Sequence, residues 1–237
     1  MQKAVVLAAG RGSRMKALTA DRPKPMLELA GKPLLEHILD RLAEARFEEV
    51  LVVTGYRAEM IENYFADYPV LHVSFRRQTE ANGTGSATRL AEEWVGDSPF
   101  LLTFGDIVME AADYRAMAGM LESDPEVAAV AAVKWVADPA AGAAVYEENH
   151  RITRIVEKPA PGTSTTNWNS AGTYTFRPAV FAELRTIPVS PRGEYEVTSA
   201  VHQLIAEGRK VMMHALAGDW RDVGRPEDLA VAEQMLD

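Results

Sequence analysis

The sequence predicts an α/β fold: a mostly parallel sheet flanked by helices, with a small antiparallel addition. Three observations predict it. Strand-like and helix-like periods alternate from the N-terminus as far as Phe104. The first strand is apolar throughout, as strands buried on both faces are. Beyond residue 126 the strand-like segments are separated by turns, the mark of antiparallel pairing.

The elements follow in order. Ala4 to Ala9 is a continuous apolar run closed by Gly10, a buried strand. Pro33 to Arg46 reads as a helix: Leu34, Leu35, Ile38, Leu39 and Leu42 recur at helical spacing, and Pro33 suits the first helical position. Glu49 to Thr54 is a second strand, ended by Gly55. Arg57 to Asp67 is helical, with Met60, Ile61, Tyr64 and Phe65 on one face. Val70 to Phe75 is a third strand, Thr84 to Val95 a helix, and Phe100 to Phe104 a fourth strand running into Gly105-Asp106. Repeated β–α–β crossovers give a parallel sheet with helices on both faces. Ligands of such sheets sit beyond the carboxyl ends of the strands, where Gly10, Gly55, Gln78 and Asp106 fall.

In the second half, Val127 to Val136, Ala143 to Glu147, Ile152 to Val156 and Thr173 to Phe176 read as strands. Pro159 to Thr166 is a Pro/Gly/Ser/Thr loop, too short to be a linker. A helix from Tyr195 to Glu207, a strand from Lys210 to Leu216 and a helix from Pro226 to Leu236 complete the chain. The expectation is one domain over 1–237, with halves of about 1–110 and 111–237.

Of 237 residues, 47% are hydrophobic and 25% charged, which argues for a packed core and against disorder. The lack of cysteine excludes disulfides, thiolate metal sites and a cysteine nucleophile. No apolar run nears the roughly 18 residues of a membrane span. The N-terminal apolar run stops at Gly10-Arg11-Gly12, so it reads as a strand and not a signal peptide, and a cytoplasmic location is expected. With 34 acidic against 25 basic residues the net charge is −9, which repels nucleic acid. Within this acidic chain Arg11, Arg14, Lys16, Arg22 and Lys24 cluster, opposed only by Asp21. That pattern suits a small anion. The five histidines show no ligand spacing.

Leu7-Ala8-Ala9-Gly10-Arg11-Gly12-Ser13-Arg14-Met15 places a glycine loop after a buried strand, where backbone N–H groups can surround phosphate. Met15 occupies the place of the third small residue of a dinucleotide fingerprint, and no Gly-Lys-Ser/Thr follows to make a Walker loop. Pro23 and Pro25 fix the backbone on either side of Lys24, which suits an ammonium that must meet one phosphate. Asp106 and Asp222 are carboxylates near glycines. Such residues hold Mg²⁺ together with substrate phosphates, and equally serve as turn residues.

These residues carry a resemblance. Leu7-Ala8-Ala9-Gly10-x-Gly12-x-Arg14-Met15, Leu18-Thr19, Pro23-Lys24-Pro25-Met26-Leu27 and Gly31-Lys32-Pro33-Leu34 together resemble the opening signature of the sugar-phosphate nucleotidylyltransferases. Ala17 stands where that family commonly has proline. The likeness continues through Gln78 to Ala87, Gly105-Asp106, Gly142, Glu157-Lys158-Pro159, Ser170-Ala171-Gly172-Thr173-Tyr174, Gly193 to Thr198 and Trp220 to Pro226. Two departures stand out: Ala141 replaces a tyrosine before Gly142, and Ser170 replaces an asparagine, with Asn169 beside it as a substitute.

The resemblance implies the Rossmann-like nucleotide-diphospho-sugar transferase fold and nucleotidylyl transfer from an NTP to a sugar 1-phosphate. It implies that Leu7, Ala8, Ala9, Gly10, Gly12, Arg14 and Lys24 receive the nucleotide and that Gln78, Gly83 and Thr84 read its base. By the same likeness Gly142, Glu157, Lys158, Asn169 and Ser170 bind the sugar phosphate. Arg14, Lys24, Asp106 and Lys158 serve catalysis, and Asp106 and Asp222 bind Mg²⁺. The pattern is closest to enzymes that use UTP or dTTP with glucose or N-acetylglucosamine 1-phosphate. Cytidylyl or guanylyl transfer to mannose 1-phosphate or phosphocholine, and a catalytically silent nucleotide-sugar-binding subunit, are the alternatives. No nucleic-acid or membrane partner is expected, and homo-oligomers are left open. The chain ends soon after Trp220, so the β-helix acyltransferase domain of some relatives is expected to be absent.

Overall fold

A nine-stranded sheet runs through the computed structural model, which describes residues 1–236; Asp237, and the side chains of Lys16 and Ala141, lie outside the description. The strands and helices alternate as β1 (Lys3–Ala8), a small hairpin of β2 (Glu28–Leu29) and β3 (Lys32–Pro33), α1 (Leu34–Glu44), β4 (Glu49–Thr54), α2 (Ala58–Tyr64) and β5 (His72–Arg77). Next come α3 (Thr84–Arg89), α4 (Glu92–Val95), β6 (Phe100–Phe104), β7 (Ile107–Met109), α5 (Ala111–Ser123) and β8 (Val127–Trp135). The remainder comprises β9 (Ala143–Glu148), β10 (Arg151–Glu157), β11 (Trp168–Phe176), α6 (Val180–Leu184), α7 (Val197–Ala206), β12 (Lys210–Ala215), β13 (Trp220–Asp222) and α8 (Pro226–Glu233).

The sheet order is β5-β4-β1-β6-β11-β8-β12-β10-β9. The first four strands are mutually parallel, as crossover helices require. β11 enters antiparallel between β6 and β8, and β10 lies antiparallel to β12 and β9. An extra pairing of Asn169 with Ala144 returns β9 to β11. The mixed α/β fold expected from the sequence is therefore present.

Each face of the sheet carries its own core. Ala4, Val6, Val50 and Val52 pack under α1 and α5, while Val5, Leu51 and Val53 pack with α3, α6 and α7. Helix α1 buries the five leucine and isoleucine positions expected of it, each worth roughly 1.5–3 kcal/mol on full burial. A third, smaller core joins Met15, Leu27, Leu29, Leu34, Val108, Val223 and Ala232 beneath the glycine loop. It fastens the N-terminal signature, the strand after Asp106 and the segment after Asp222 to α8.

Several boundaries differ from the sequence reading. Pro33 pairs with Glu28 in the hairpin and precedes α1. Arg57 adopts φ +50 ahead of α2. The helix expected over Thr84 to Val95 is broken between α3 and α4. β5 starts at His72, because Val70 is exposed and adds nothing to a core. α5 and β7 have no counterpart in the sequence reading. α5 buries Ala111, Tyr114, Met117 and Leu121 at helical spacing, but its remaining alanines blur the contrast between faces.

Candidate active site

The glycine loop leaves β1 at the carboxyl edge of the sheet and turns through a 3-10 segment, Ser13–Thr19. Gly12 has φ +66, and a Cβ there would lie 2.8 Å from Lys24 Cβ. Only glycine meets both demands. Thr19 Oγ1 donates to the Gly12 carbonyl at 3.0 Å, closing the loop on itself. A second 3-10 turn, Lys24–Met26, with Pro25 as its second residue, carries Lys24 inward until it is buried.

Lys24 Nζ lies 2.5 Å from Asp106 Oδ2 and 3.9 Å from Asp222 Oδ1. The two carboxylates are brought together by the antiparallel β7–β13 ribbon, in which Asp222 pairs with Ile107. Val223 N–H donates to the Asp106 carbonyl at 2.9 Å and fixes that register. Burial pushes the Asp222 carboxyl up to about 6, and the negative charge of Asp106 adds to the shift; Lys24 and Arg14 pull the other way. Although the Asp222 side chain is 42% exposed, its Oδ1 is buried and has no hydrogen-bond partner. One ammonium against two carboxylates leaves the pair short of positive charge. Two carboxylates with an unpartnered oxygen fit a Mg²⁺ ion that completes its shell with water and phosphate. Among the described residues no third acidic or histidine side chain joins them.

Two cavities meet at this point. One, of about 390 Å³, holds Leu7, Ala8, Ala9, Gly10, Gly12, Arg14 and Lys24 on one side and Gln78, Gly83 and Thr84 on the other. The other, of about 350 Å³, is lined by Gly142, Glu157, Lys158, Asn169, Ser170 and Asp222. Arg14 and Asp106 belong to both. Every residue that the resemblance assigns to the nucleotide, the sugar phosphate or the metal thus lies on one cavity or the other, whereas Arg22 and Gly55, singled out by charge and position, line neither.

The far wall of the first cavity is built from backbone. Gly83 has φ +116 and its Cα abuts the Tyr195 carbonyl, so no side chain fits there. Tyr195 N–H donates to Asn82 O at 2.8 Å, Gly85 N–H to Tyr195 O at 2.7 Å, and Val197 N–H to Thr84 Oγ1 at 3.0 Å. Gln78 Nε2 donates to Gly83 O and to Asn82 Oδ1, each at 3.2 Å. A carbonyl can only accept, so the Gln78 amide is held with its NH₂ toward the loop.

The second cavity is walled by paired charges. Thr198 Oγ1 donates to Glu157 Oε2 at 3.0 Å. Arg192, from the loop before α7, reaches Glu196 at 2.9 Å, Glu194 at 3.4 Å and Glu157 at 3.6 Å. Burial, then the charge of Glu157, raises the Glu196 carboxyl above its ordinary value. Asn169 is buried, donates from Nδ2 to Pro139 O at 2.7 Å, and lies so close to Gly142 that a side chain there is excluded. One amide hydrogen is thus engaged in holding the 139–142 turn. Ser170 Oγ shares a 2.6 Å hydrogen bond with the Tyr174 hydroxyl. Lys158 is exposed, at φ +41, and makes no ion pair among the described residues.

Sequence reasoning passed over two contributors, Arg192 and Asp228; Trp220 lay in a segment it singled out. Arg192 precedes the Gly193–Thr198 segment and organises its acids. Trp220 Nε1 donates to Ala171 O at 3.0 Å, tying the Asp222 strand to β11. Asp228 accepts from Gly224 N, Arg225 N and Arg221 Nη2 at 3.0, 2.8 and 2.5 Å, bracing the turn after Asp222. Its signal was legible: an acid in the first turn of a helix opened by proline.

Residues 3–237 match the family model described as Nucleotidyl transferase. The chain belongs to the nucleotidyl transferase family. It is 36% identical to the UTP–glucose-1-phosphate uridylyltransferase AglF of Haloferax volcanii, over 99% of this chain and 96% of that one. It is 37% identical to the bifunctional protein GlmU of Methanocaldococcus jannaschii, over 98% of this chain but 54% of that protein. Among solved structures, UDP-glucose pyrophosphorylase complexed with UDP-glucose superposes with a TM-score of 0.89 at 23% identity, covering 100% and 98% of the two chains. A glucose-1-phosphate thymidylyltransferase of Bacillus anthracis gives 0.88 at 23%, covering 99% and 95%. These last two share the fold. The chain is a nucleotidyltransferase, and no helix among the described residues is long and apolar enough to cross a membrane.

Proposed function

We propose that this chain transfers a uridylyl or thymidylyl group from the triphosphate to a hexose 1-phosphate and releases pyrophosphate. The observation that carries the reading is the junction: a phosphate-type cavity and a hydroxyl-type cavity meet at Asp106 and Arg14, with Lys24 held against Asp106.

A phosphate oxygen of the acceptor attacks the α-phosphorus, the bond to the β-phosphate oxygen breaks, and pyrophosphate leaves with that electron pair. The acceptor's second pKa is near 6, so it is ionised at neutral pH and needs no general base. The protein's task is then to position two polyanions and stabilise the charge that moves onto pyrophosphate. Loop N–H groups and the Arg14 fork suit the β- and γ-phosphates. Lys24 suits the α-phosphate, where its ammonium meets charge developing in the transition state. Lys158 suits the acceptor phosphate, and Glu157 its hydroxyls. Mg²⁺ held by Asp106 and Asp222 would supply further positive charge to the phosphate oxygens.

The base preference has its own support. With both amide hydrogens of Gln78 engaged, Oε1 is the group left for a base. An acceptor suits the N3–H of uracil or thymine and opposes the N3 lone pair of cytosine. The test is pyrophosphate release from each NTP crossed with several sugar 1-phosphates and phosphocholine, with and without Mg²⁺. UTP or dTTP with a hexose 1-phosphate is expected to lead; CTP with phosphocholine leading would overturn the reading.

A further inference from the structure

Gly55 and Arg11 have so far only a place in the sequence: one ends β4, the other adds charge to the glycine loop. The structure brings them together. Three successive residues after β4 grip the loop at both ends. A Cβ at Gly55 would lie 2.6 Å from the Ala9 carbonyl oxygen, so glycine alone allows this approach. Tyr56 N–H donates to the same Ala9 oxygen at 3.3 Å. At the loop's other end, the Tyr56 hydroxyl donates to Ala20 O at 2.9 Å and Arg57 Nη2 to that oxygen at 3.4 Å. Arg57 Nε donates to the Tyr56 hydroxyl oxygen at 3.1 Å, completing a triangle. Arg57 is held at φ +50, a conformation unfavourable for a residue with a side chain, and these bonds keep it there.

Between the two anchors lies Arg11. Its guanidinium carbon is 5.2 Å from the centre of the Tyr56 ring, and that of Arg57 is 5.6 Å from the same centre. Two like charges therefore share one aromatic ring. The nearby acid, Asp21, is paired with Arg22 at 3.3 Å. Among the described residues Arg11 has no ion-pair partner, and it lines the cavity that holds Gly10, Gly12, Arg14 and Lys24. Two cations on one ring, beside a cavity with further unpaired positive charge, form a site that lacks an anion.

We infer that Arg11 is a further phosphate ligand of this chain, parked on Tyr56 when the cavity is empty and turned onto the β- and γ-phosphates when it is filled. Tyr56 and Arg57 are positioning residues that set where the loop carries it. The inference rests on the nucleotidyl-transfer reading of the site. A guanidinium fork matches two phosphate oxygens at once. Stacking on the ring also restricts a long side chain before the ligand arrives, so less rotamer freedom is lost on binding.

The test is calorimetric binding of UTP, inorganic pyrophosphate and UMP to the wild-type protein, Arg11→Gln, Tyr56→Phe and Tyr56→Leu, with melting curves for each. Arg11→Gln is expected to weaken UTP and pyrophosphate by about tenfold, the loss of one charge-assisted contact, and to leave UMP within about twofold. Tyr56→Leu is expected to show the same selective pattern at smaller size. Tyr56→Phe keeps the ring and lies nearer the wild type. A loss shared equally by UTP and UMP in Arg11→Gln, or no loss at all while wild-type protein binds UTP, overturns the inference alone. Wild-type protein that binds neither triphosphate nor pyrophosphate overturns the reading of the site and this inference with it.

Discussion

The two halves of the site treat charge in opposite ways. On the nucleotide side, at the ends of parallel strands, Arg11 and Arg14 have no carboxylate partner among the described residues. On the acceptor side, among antiparallel strands, Arg192 is shared among Glu157, Glu194 and Glu196. An unpaired cation in a cavity is costly until an anion arrives, so the first half is built for polyanions. One guanidinium shared among three carboxylates leaves hydrogen-bond acceptors in excess, which under the proposed function suits hydroxyls, with Lys158 at the rim for one phosphate. Lys24 stands at the boundary. Its ammonium offsets part of the charge of the carboxylate pair, and it is the buried cation beside the junction of the two cavities.

The strongest way to break this comparison is at that boundary. Lys24→Met is expected to lower kcat by about 10²- to 10³-fold, the range for a preorganised transition-state donor, with KM for either substrate changed far less. Initial rates of pyrophosphate release measure both. A rise in the KM for triphosphate with kcat intact would move Lys24 to the nucleotide half as a binding residue only. Next in size is Gln78→Ala. It is expected to raise the KM for UTP about tenfold and to narrow the preference over CTP, because the fixed acceptor is lost. Unchanged UTP-to-CTP preference would show that the Gly83 backbone does the reading by itself.

Much of this was legible in the chain, and the reason is physical. β4 and β6 were read at their observed limits because strands buried on both faces read as near-continuous apolar runs, here each followed by glycine. Under the proposed function the junction residues were readable because phosphate chemistry needs several groups from one short loop, and Gly12, Arg14 and Lys24 lie close in sequence. What escaped acts across elements. Tyr56 closes on Ala20 and Arg192 on Glu157, each joining segments whose proximity only the sheet order creates. α5 escaped for another reason: alanine and methionine fill its faces, and the helical period has little amplitude.

Asp228 tests whether the boundary depends on its bracing. Asp228→Ala leaves the Gly224 and Arg225 N–H groups and the Arg221 guanidinium without their acceptor. A loss of about 1–3 kcal/mol of stability is expected, read as a lower denaturant midpoint. The Mg²⁺ concentration for half-maximal rate is expected to rise severalfold, whereas the KM for UTP moves little. An unchanged Mg²⁺ requirement would confine Asp228 to stability.

The smallest expected effect sharpens the comparison from the acceptor side. Burial, followed by the charge of Glu157, raises the Glu196 carboxyl in the folded protein. The folded state therefore holds this proton more tightly than the unfolded chain does. The resulting stability is fully present below the ordinary glutamate value of about 4.3 and is lost as pH rises through the raised folded value. Glu196→Gln removes the titration while its amide oxygen still accepts from Arg192 and Ser190. The variant is expected to lose less melting temperature than the wild type between pH 4 and pH 7, by about 2 °C. Melting curves across that window check the sign. A variant that loses more than the wild type would mean that Arg192 holds Glu196 ionised, and that the acceptor half too keeps a field of its own.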